Sequence, residues 1–167
     1  SSYIEPRGGE FEEVVFFGLQ AVMKEYLLPR ITKDDVEFAE KIFAAHGEPF
    51  NKEGWMIIVN EHGGRVPVEI SALPEGTVTP TGIPQVQIVN TDPRLPWLTS
   101  YLETALLRAV WYPSTVATLS REAKKFINQG LELTADDPAA EIGFKLHDFG
   151  ARGATSSEAA MLGGMAH

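Results

Sequence analysis

The hydrophobic residues near the start of the chain recur with the spacing of a helix. Between residues 10 and 28, apolar side chains fall three or four positions apart along one helical face. Further apolar side chains widen that face beyond a single stripe. These two sets are Phe11, Val15, Leu19, Val22 and Tyr26, and then Phe16, Met23 and Leu27. The pattern predicts a helix over residues 10–28 that needs burial on more than one side, in a larger fold or a subunit interface.

Two shorter helices are predicted next from their end signals. Thr32, with Asp35 three residues later, has the pattern of an N-cap, and Gly47 is a helix stop. Asn51 opens a further helix, which ends at the HGG sequence of residues 62–64.

A strict alternation of apolar and polar residues then predicts strands. In residues 65–72 every second side chain is apolar, which is typical of a half-buried strand, and Pro67 favours an edge position or a strand start. The sequence VQIVN, residues 86–90, is the expected partner strand.

The second half of the chain is predicted to be mostly helical. One helix ends at Pro113, and another begins with Ser114 as its cap and stops at Gly130. Residues 135–143 are expected to form a loop, and residues 144–150 a short strand that ends in a turn. Thr155, with Glu158 three residues on, predicts a capping box and a last helix from Ser156.

These elements predict an α/β fold of α+β character, with a small antiparallel or mixed sheet packed by helices. Only about three strands are expected, which are too few to close a sheet. The helical pattern continues to residue 167. We therefore expect residues 1–167 to be a single incomplete domain, part of something larger.

Composition narrows the classes of function. The 167 residues, 44% of them hydrophobic, suffice for one domain with a core. A formal charge of −9 argues against nucleic-acid binding, because an acidic surface repels the phosphate backbone. No apolar stretch approaches the roughly 20 residues of a membrane span, and no signal peptide is visible. The absence of cysteine fits a reducing, cytoplasmic setting.

The segment KLHDFGARGATSSEAA, residues 145–160, contains the D-F-G triplet of protein kinases. A kinase also needs a glycine-rich loop, a V-A-I-K lysine, an H-R-D loop and an A-P-E sequence, and the chain has none of them. We therefore reject the kinase interpretation.

The same segment suits a ligand that combines a flat ring with a phosphate. Gly150 and Gly153 flank Arg152 and allow close approach, and the guanidinium matches phosphate or carboxylate. Phe149 offers a face on which a heteroaromatic ring can stack. A helix N-terminus just downstream favours anions. The structural alternative is a core phenylalanine beside a hydrogen-bonded His147–Asp148 loop pair. No metal site is predicted, since the four histidines show no metal-ligand spacing.

Longer motifs in unbroken order resemble the nicotinamide phosphoribosyltransferase family, almost from end to end. They are YIEPR (3–7), VVFFGLQAVMKEYL (14–27), FNKEGW (50–55), VPVEISALPEG (66–76), NTDPRLPWLTSYLET (90–104), WYPSTVATLSRE (111–122) and KLHDFGARGATSSEAA (145–160). The resemblance implies a type II phosphoribosyltransferase fold. It also implies transfer of phosphoribosyl from phosphoribosyl pyrophosphate (PRPP) to nicotinamide in NAD salvage, with Mg²⁺ on the pyrophosphate. The family acts as a homodimer with active sites at the subunit boundary.

The resemblance also assigns residues. Phe149 corresponds to the phenylalanine that stacks on nicotinamide, Arg152 to an arginine that contacts the amide and phosphoribosyl group, and Arg7 to an arginine near the phosphates. His147 and Asp148 hold the turn, with Gly150 and Gly153 in support. Two more matching residues, Glu103 and Arg121, are expected to act from behind the site or, more simply, in ion pairs.

Departures from the family pattern limit what the resemblance implies. The catalytic histidine, the aspartate that recognises the amide and the phosphate-binding barrel would follow residue 167, and an aromatic that closes the site would precede residue 1. Ala151 stands where relatives often have tyrosine, which opens one side of the pocket. The chain alone is therefore expected to be inactive. Two alternatives stay open: a parent enzyme that uses nicotinate, and a non-catalytic fragment or partner subunit.

Overall fold

The computed structural model describes all residues from Ser1 to His167, and it contains five short strands and six helices. The strands are β1 (Ser2–Ile4), β2 (Glu13–Val15), β3 (Val68–Ala72), β4 (Val78–Pro80) and β5 (Val86–Asn90). The helices are α1 (Leu19–Val22), which continues as a π-helical turn (Met23–Leu27), α2 (Lys33–His46), α3 (Lys52–Glu61), α4 (Leu98–Thr134), α5 (Pro138–Glu141) and α6 (Ser157–Ala166).

The strands form two antiparallel sheets. In the larger sheet β5 is central, pairing with β1 on one side and β3 on the other. The smaller sheet pairs β2 with β4. The prediction that β3 is an edge strand paired with residues 86–90 is therefore confirmed, as is the small antiparallel sheet packed by helices.

The core lies where α1, α3 and the first half of α4 meet the larger sheet. Its fully buried residues include Phe16, Ile58 and Leu98, and β5 contributes Val86 and Ile88. At its margin Trp55, Trp97 and Tyr101 pack edge to face, with ring centroids 5.1–5.6 Å apart. This is a favoured arrangement for aromatic rings.

Both helices that were predicted from caps are present. Thr32 accepts a hydrogen bond from the Asp35 N–H while Asp35 accepts one from the Thr32 N–H, so the capping box is complete, and Gly47 ends α2 in the left-handed region. Asn51 caps α3 through the Gly54 N–H.

The prediction of one helix over residues 10–28 was wrong. Residues 13–15 form β2 instead, and α1 begins only after Gly18, which has a φ of 108°. The backbone N–H groups of Val15 and Phe17 donate to the hydroxyls of Thr118 and Ser114, at 2.9 and 3.0 Å. Side chains 103 and 97 positions away thus satisfy donors that a helix would have used internally.

The predicted break at Pro113 was also wrong. Helix α4 runs unbroken for 37 residues, a length of about 55 Å, with Pro113 buried inside it. Ser114 is not a cap, because its hydroxyl bonds to the backbone of Phe17. Pro113 packs against Gly18, where even a methyl group would lie 2.5 Å from the proline ring.

Two smaller expectations in the last third need correction. Residues 138–144 are not a loop but α5 followed by a 3₁₀ turn, and no strand precedes the HDFG sequence. Helix α6 begins at Ser157, and its cap is Ser156 rather than Thr155. The hydroxyl of Ser156 accepts from the Ala159 N–H, so the capping signal was displaced by one residue.

Candidate functional site

The HDFGARG segment, residues 147–153, leads from an irregular stretch into a 3₁₀ turn over Gly150–Gly153. The carboxylate of Asp148 accepts a 2.7 Å hydrogen bond from the Gly150 N–H, which fixes the entry to that turn. The rings of His147 and Phe149 lie 6.4 Å apart and are tilted by 50°. Phe149 is 72% exposed and therefore free to meet a ligand, which excludes the core-phenylalanine alternative within this chain.

A cavity of about 740 Å³ opens beside this segment, between α4, α6 and the π-helical turn after α1. We refer to it as the α4–α6 groove. Its lining residues are Val22, Tyr26, Ala105, Arg108, Ala109, Trp111, Tyr112, Gly150, Gly153, Ala154, Thr155, Ser156, Glu158, Ala159 and Leu162. Two glycines of the HDFGARG segment and the capped start of α6 thus form one of its walls.

The opposite wall carries flat rings and a positive charge. Trp111 is 60% exposed, and its ring packs against that of Tyr112 with centroids 5.9 Å apart. Arg108, one helical turn before Tyr112, is exposed and forms no ion pair within the chain. Rings and a free guanidinium beside a helix N-terminus suit a planar ligand that carries an anionic group.

Tyr26 closes one end of the groove against Glu158. The Tyr26 hydroxyl donates a 2.6 Å hydrogen bond to Oε2 of Glu158, in the first turn of α6. This hydrogen bond and the negative charge of Glu158 raise the pKa of Tyr26 above its ordinary value, and Arg108 offsets a small part of that effect.

The structure brings some of the predicted site residues together. Gly150 and Gly153 line the groove, and Phe149 and Arg152 lie on the same turn, although their side chains do not line the cavity. Arg7 lies elsewhere. Its neighbours Pro6 and Gly8 line a second cavity, of about 520 Å³, between the N-terminal segment and α4.

The two cavities share one residue, Trp111, which lines both. The family-matched Arg121 pairs with Glu13 and Glu122 at 3.2 and 2.9 Å, which confirms the expectation of an ion pair. Glu103 is exposed and forms no ion pair.

Several groove residues were missed by sequence reasoning. The sequence pattern places Tyr26 on a buried helix face and Glu158 in a capping box. Arg108, Trp111 and Tyr112 stood inside a predicted amphipathic helix, where nothing distinguished them from surface or core positions. The available signal was two adjacent aromatic residues following an arginine, which is too common a pattern to indicate a site by itself.

Neither a metal centre nor a membrane segment is found among the 167 residues. No three His, Asp or Glu side chains gather in a way that could hold a metal ion. No helix is both long enough and apolar enough to cross a bilayer.

The fold is that of part of a type II phosphoribosyltransferase. The crystal structure of human nicotinic acid phosphoribosyltransferase matches with a TM-score of 0.53 at 24% sequence identity, over 77% of this chain and 24% of that one. At this identity the likeness defines the fold alone.

Sequence comparison then shows which proteins the chain is similar to. Residues 1–70 match the sequence model described as "Nicotinamide phosphoribosyltransferase, N-terminal domain". The nicotinamide phosphoribosyltransferase of Xanthomonas campestris pv. campestris (strain 8004) is 50% identical over 165 residues, 99% of this chain and 35% of that protein. The one from Acinetobacter baylyi is 27% identical over 164 residues, 93% of this chain and 32% of that protein. The chain is thus similar to the N-terminal part of nicotinamide phosphoribosyltransferases, and it spans about a third of the length of these relatives.

Proposed function

We propose that residues 1–167 are the N-terminal part of an enzyme that transfers phosphoribosyl from PRPP to nicotinamide, producing nicotinamide mononucleotide and pyrophosphate. The observation that carries the proposal is the 50% identity over 165 residues to a protein named nicotinamide phosphoribosyltransferase. The exposed HDFGARG segment, beside a groove with rings and a free cation, supports it physically.

In this proposal Phe149 stacks on the nicotinamide ring, and Arg152 meets the amide and the phosphoribosyl group. Arg7 approaches the phosphates from the second cavity. His147, Asp148, Gly150 and Gly153 maintain the turn, for which the hydrogen bond from Gly150 to Asp148 is the local support. Charge that develops as the glycosidic bond of PRPP breaks is stabilised by positioned donors and cations, so placement of these groups matters most.

The site within residues 1–167 is incomplete in this proposal. These residues form one part of a domain, and the catalytic groups and phosphate-binding barrel come from the rest of the enzyme or from a second copy in a homodimer. Exposed apolar side chains on α4, among them Leu119, Phe126 and Leu133, are consistent with a surface that another part of the enzyme covers. A cytoplasmic location belongs to the same proposal.

Magnesium is needed in this proposal as the ion carried by PRPP. It arrives on the pyrophosphate, whose oxygens are the ligands that Mg²⁺ prefers, and no residue of this chain is assigned to hold it.

Nicotinamide is favoured over nicotinate because the relatives that match along most of the chain carry the nicotinamide name. A purely non-catalytic role has no specific observation in its favour. The structural match to a nicotinic acid enzyme concerns the fold only, since the identity is 24%.

The test measures nicotinamide mononucleotide by mass spectrometry, with nicotinamide, PRPP and Mg²⁺ as reactants. The protein is the polypeptide in which residues 1–167 occur, at its natural length, and nicotinate is assayed in parallel. We expect product from nicotinamide, and none from the 167-residue chain alone. Preference for nicotinate, or detectable product from the 167 residues alone, contradicts the proposal.

A matched pair of variants tests the site. Phe149→Ala removes the stacking ring, and we expect the KM for nicotinamide to rise about three- to tenfold. The control is Phe144→Ala, because Phe144 is also exposed, at 77%, and lies only five residues away. Equal effects of the two substitutions would remove Phe149 from the proposed site.

A further inference from the structure

His167 joins three parts of the chain through its imidazole ring. Its Nδ1 lies 2.9 Å from the hydroxyl of Ser120, in the second half of α4, and its Nε2 lies 3.2 Å from the carbonyl oxygen of Leu146. Leu146 immediately precedes the HDFGARG segment. Ser120 is buried, and His167 is half-buried.

The chemistry of the partners fixes the direction of both hydrogen bonds. A carbonyl oxygen can only accept, so Nε2 carries the proton that faces Leu146. In the neutral ring Nδ1 is then an acceptor, and the Ser120 hydroxyl must donate to it. The Ser120 hydroxyl therefore donates to Nδ1 of His167, and Nε2–H of His167 donates to the carbonyl oxygen of Leu146.

These two hydrogen bonds through His167 form the only hydrogen-bonded link between the HDFGARG region and the rest of residues 1–167. Between residues 146 and 155 the other hydrogen bonds are local, from Gly150 N–H to Asp148 and from Ala154 N–H to Ala151. No ion pair leaves the region either. The bond to Leu146 is therefore the single hydrogen bond that connects these ten residues to the rest of the fold.

We propose that His167 is a positioning residue, which holds the turn carrying Phe149 and Arg152 in register with α4 through Ser120 and Leu146. Its rigid ring holds the buried Ser120 hydroxyl of α4 and the Leu146 carbonyl group at a fixed separation. Its role in substrate binding rests on the proposed function, whereas its role in ordering the segment does not. It is not a catalytic residue, because it acts on the substrate only through the segment it holds.

Limited digestion with trypsin tests the anchor without any activity. Lys145 and Arg152 are cleavage sites on either side of Leu146, and Arg30, in the link before α2, reports on general unfolding. His167→Phe keeps a ring but removes both hydrogen bonds. His167→Gln is the matched control, because its amide N–H can donate to Leu146 while its oxygen accepts from Ser120.

We expect His167→Phe to speed cleavage after Lys145 and Arg152 about two- to tenfold, the range that corresponds to losing the one hydrogen bond to Leu146. Cleavage after Arg30 should not change, and His167→Gln should return both rates to within about twofold of the original. Ser120→Ala, which leaves His167 in place, should have a smaller effect in the same direction. Unchanged rates in His167→Phe, acceleration at all three sites alike, or no rescue by glutamine each overturn the anchor.

Kinetics on the natural-length polypeptide separate the two levels of the proposal. His167→Phe should raise the KM for nicotinamide more than it lowers kcat, and His167→Gln should restore it. Faster cleavage at Lys145 and Arg152 with an unchanged KM overturns the positioning role. If the original protein makes no nicotinamide mononucleotide at all, the proposed function fails, while the digestion still decides whether His167 anchors the segment.

Discussion

The hydroxyl of Tyr26 and the carboxylate of Glu158 are joined by a 2.6 Å hydrogen bond across 132 positions of sequence. The bond connects the π-helical turn that follows α1 to the first turn of α6. It therefore links Tyr26, which closes one end of the α4–α6 groove, to α6, whose N-terminus forms part of one wall.

The Tyr26–Glu158 hydrogen bond should make the stability of the fold depend on pH in the alkaline range. The pKa of Tyr26 is raised in the folded state by Glu158, so the protonated phenol is favoured there. Its contribution is complete below the unfolded pKa, near 10, and is lost as the pH rises through the higher folded value. We expect Tyr26→Phe to melt at a lower temperature than the original protein at pH 8. The difference should shrink above about pH 10. A difference that is constant through this range would show that the hydroxyl is not bonded to Glu158 in solution.

Asp92 should govern stability at acid pH. Its carboxylate is 7% exposed and accepts from Arg94 and from Nε2 of His62, and these bonds hold its pKa well below its usual range, with Arg94 contributing most. A lowered pKa gives stability that is present above the unfolded value, near 4, and is lost as the pH falls through the folded value.

Accordingly, we expect Asp92→Asn to lower the melting temperature by several degrees at pH 7. The gap should narrow progressively below about pH 4. Asp136→Asn is the control, since Asp136 is exposed and forms no ion pair. Melting curves at a series of pH values check both variants, and equal responses would contradict the role of Asp92.

Gly18 should tolerate no side chain. Its φ of 108° disfavours any L-residue, and a methyl group there would lie 2.5 Å from the Ala109 carbonyl oxygen and from the Pro113 ring. We expect Gly18→Ala to lower the free energy of unfolding by about 2–6 kcal/mol, from backbone strain and overpacking together. Urea titration measures it.

Gly130→Ala is the matched control for Gly18→Ala. Gly130 lies inside α4 with no atom near the position of an added methyl group. Alanine is a better helix former than glycine, so this substitution should stabilise by about 0.5–1 kcal/mol. Destabilisation at both positions would mean that α4 is not continuous through residue 130.

The packing of α6 on α4 can be tested at adjacent glycines. A methyl group on Gly163 would lie 2.7 Å from the Tyr112 hydroxyl, whereas one on Gly164 meets nothing. We expect Gly163→Ala to be about 1–2 kcal/mol less stable than Gly164→Ala. Repeating both substitutions with Tyr112→Phe should close most of this gap, because the obstructing oxygen is gone. A gap that persists would locate the strain elsewhere.

Local signals explain which elements were foreseeable. The capping box at Thr32, the cap at Asn51 and the alternation around Ile70 act within a few residues, so the sequence displays them directly. Residues 10–18 were misassigned because their hydrogen-bond partners lie on β4 and α4, far along the chain. The local pattern predicts a helix end at Pro113, because it cannot reveal the packing against Gly18 that accompanies this proline inside α4.

The residues of the groove also differ in how far the sequence alone predicts them. The HDFGARG segment was recognisable because several unusual residue types stand together in the sequence. Tyr26, Arg108 and Glu158 are common residue types in unremarkable contexts, and only the packing of three helices brings them to one cavity. Arg7 also belongs to a motif of the resemblance, yet its neighbours Pro6 and Gly8 line the second cavity. The motif that contains Arg7 and the HDFGARG segment therefore do not line the same cavity within this chain.

The hydroxyls that α4 presents to residues 15 and 17 have a consequence for the order of events on the ribosome. Ser114 and Thr118 are synthesised about 100 residues after the backbone groups they bind, and β1 must likewise wait for β5. Contacts of such long sequence separation form late, because closing a long loop precedes any gain from pairing. Residues 2–17 leave the exit tunnel before α4 does and should thus be among the last to settle, and until α4 has emerged they are a natural point of contact for a nascent-chain chaperone.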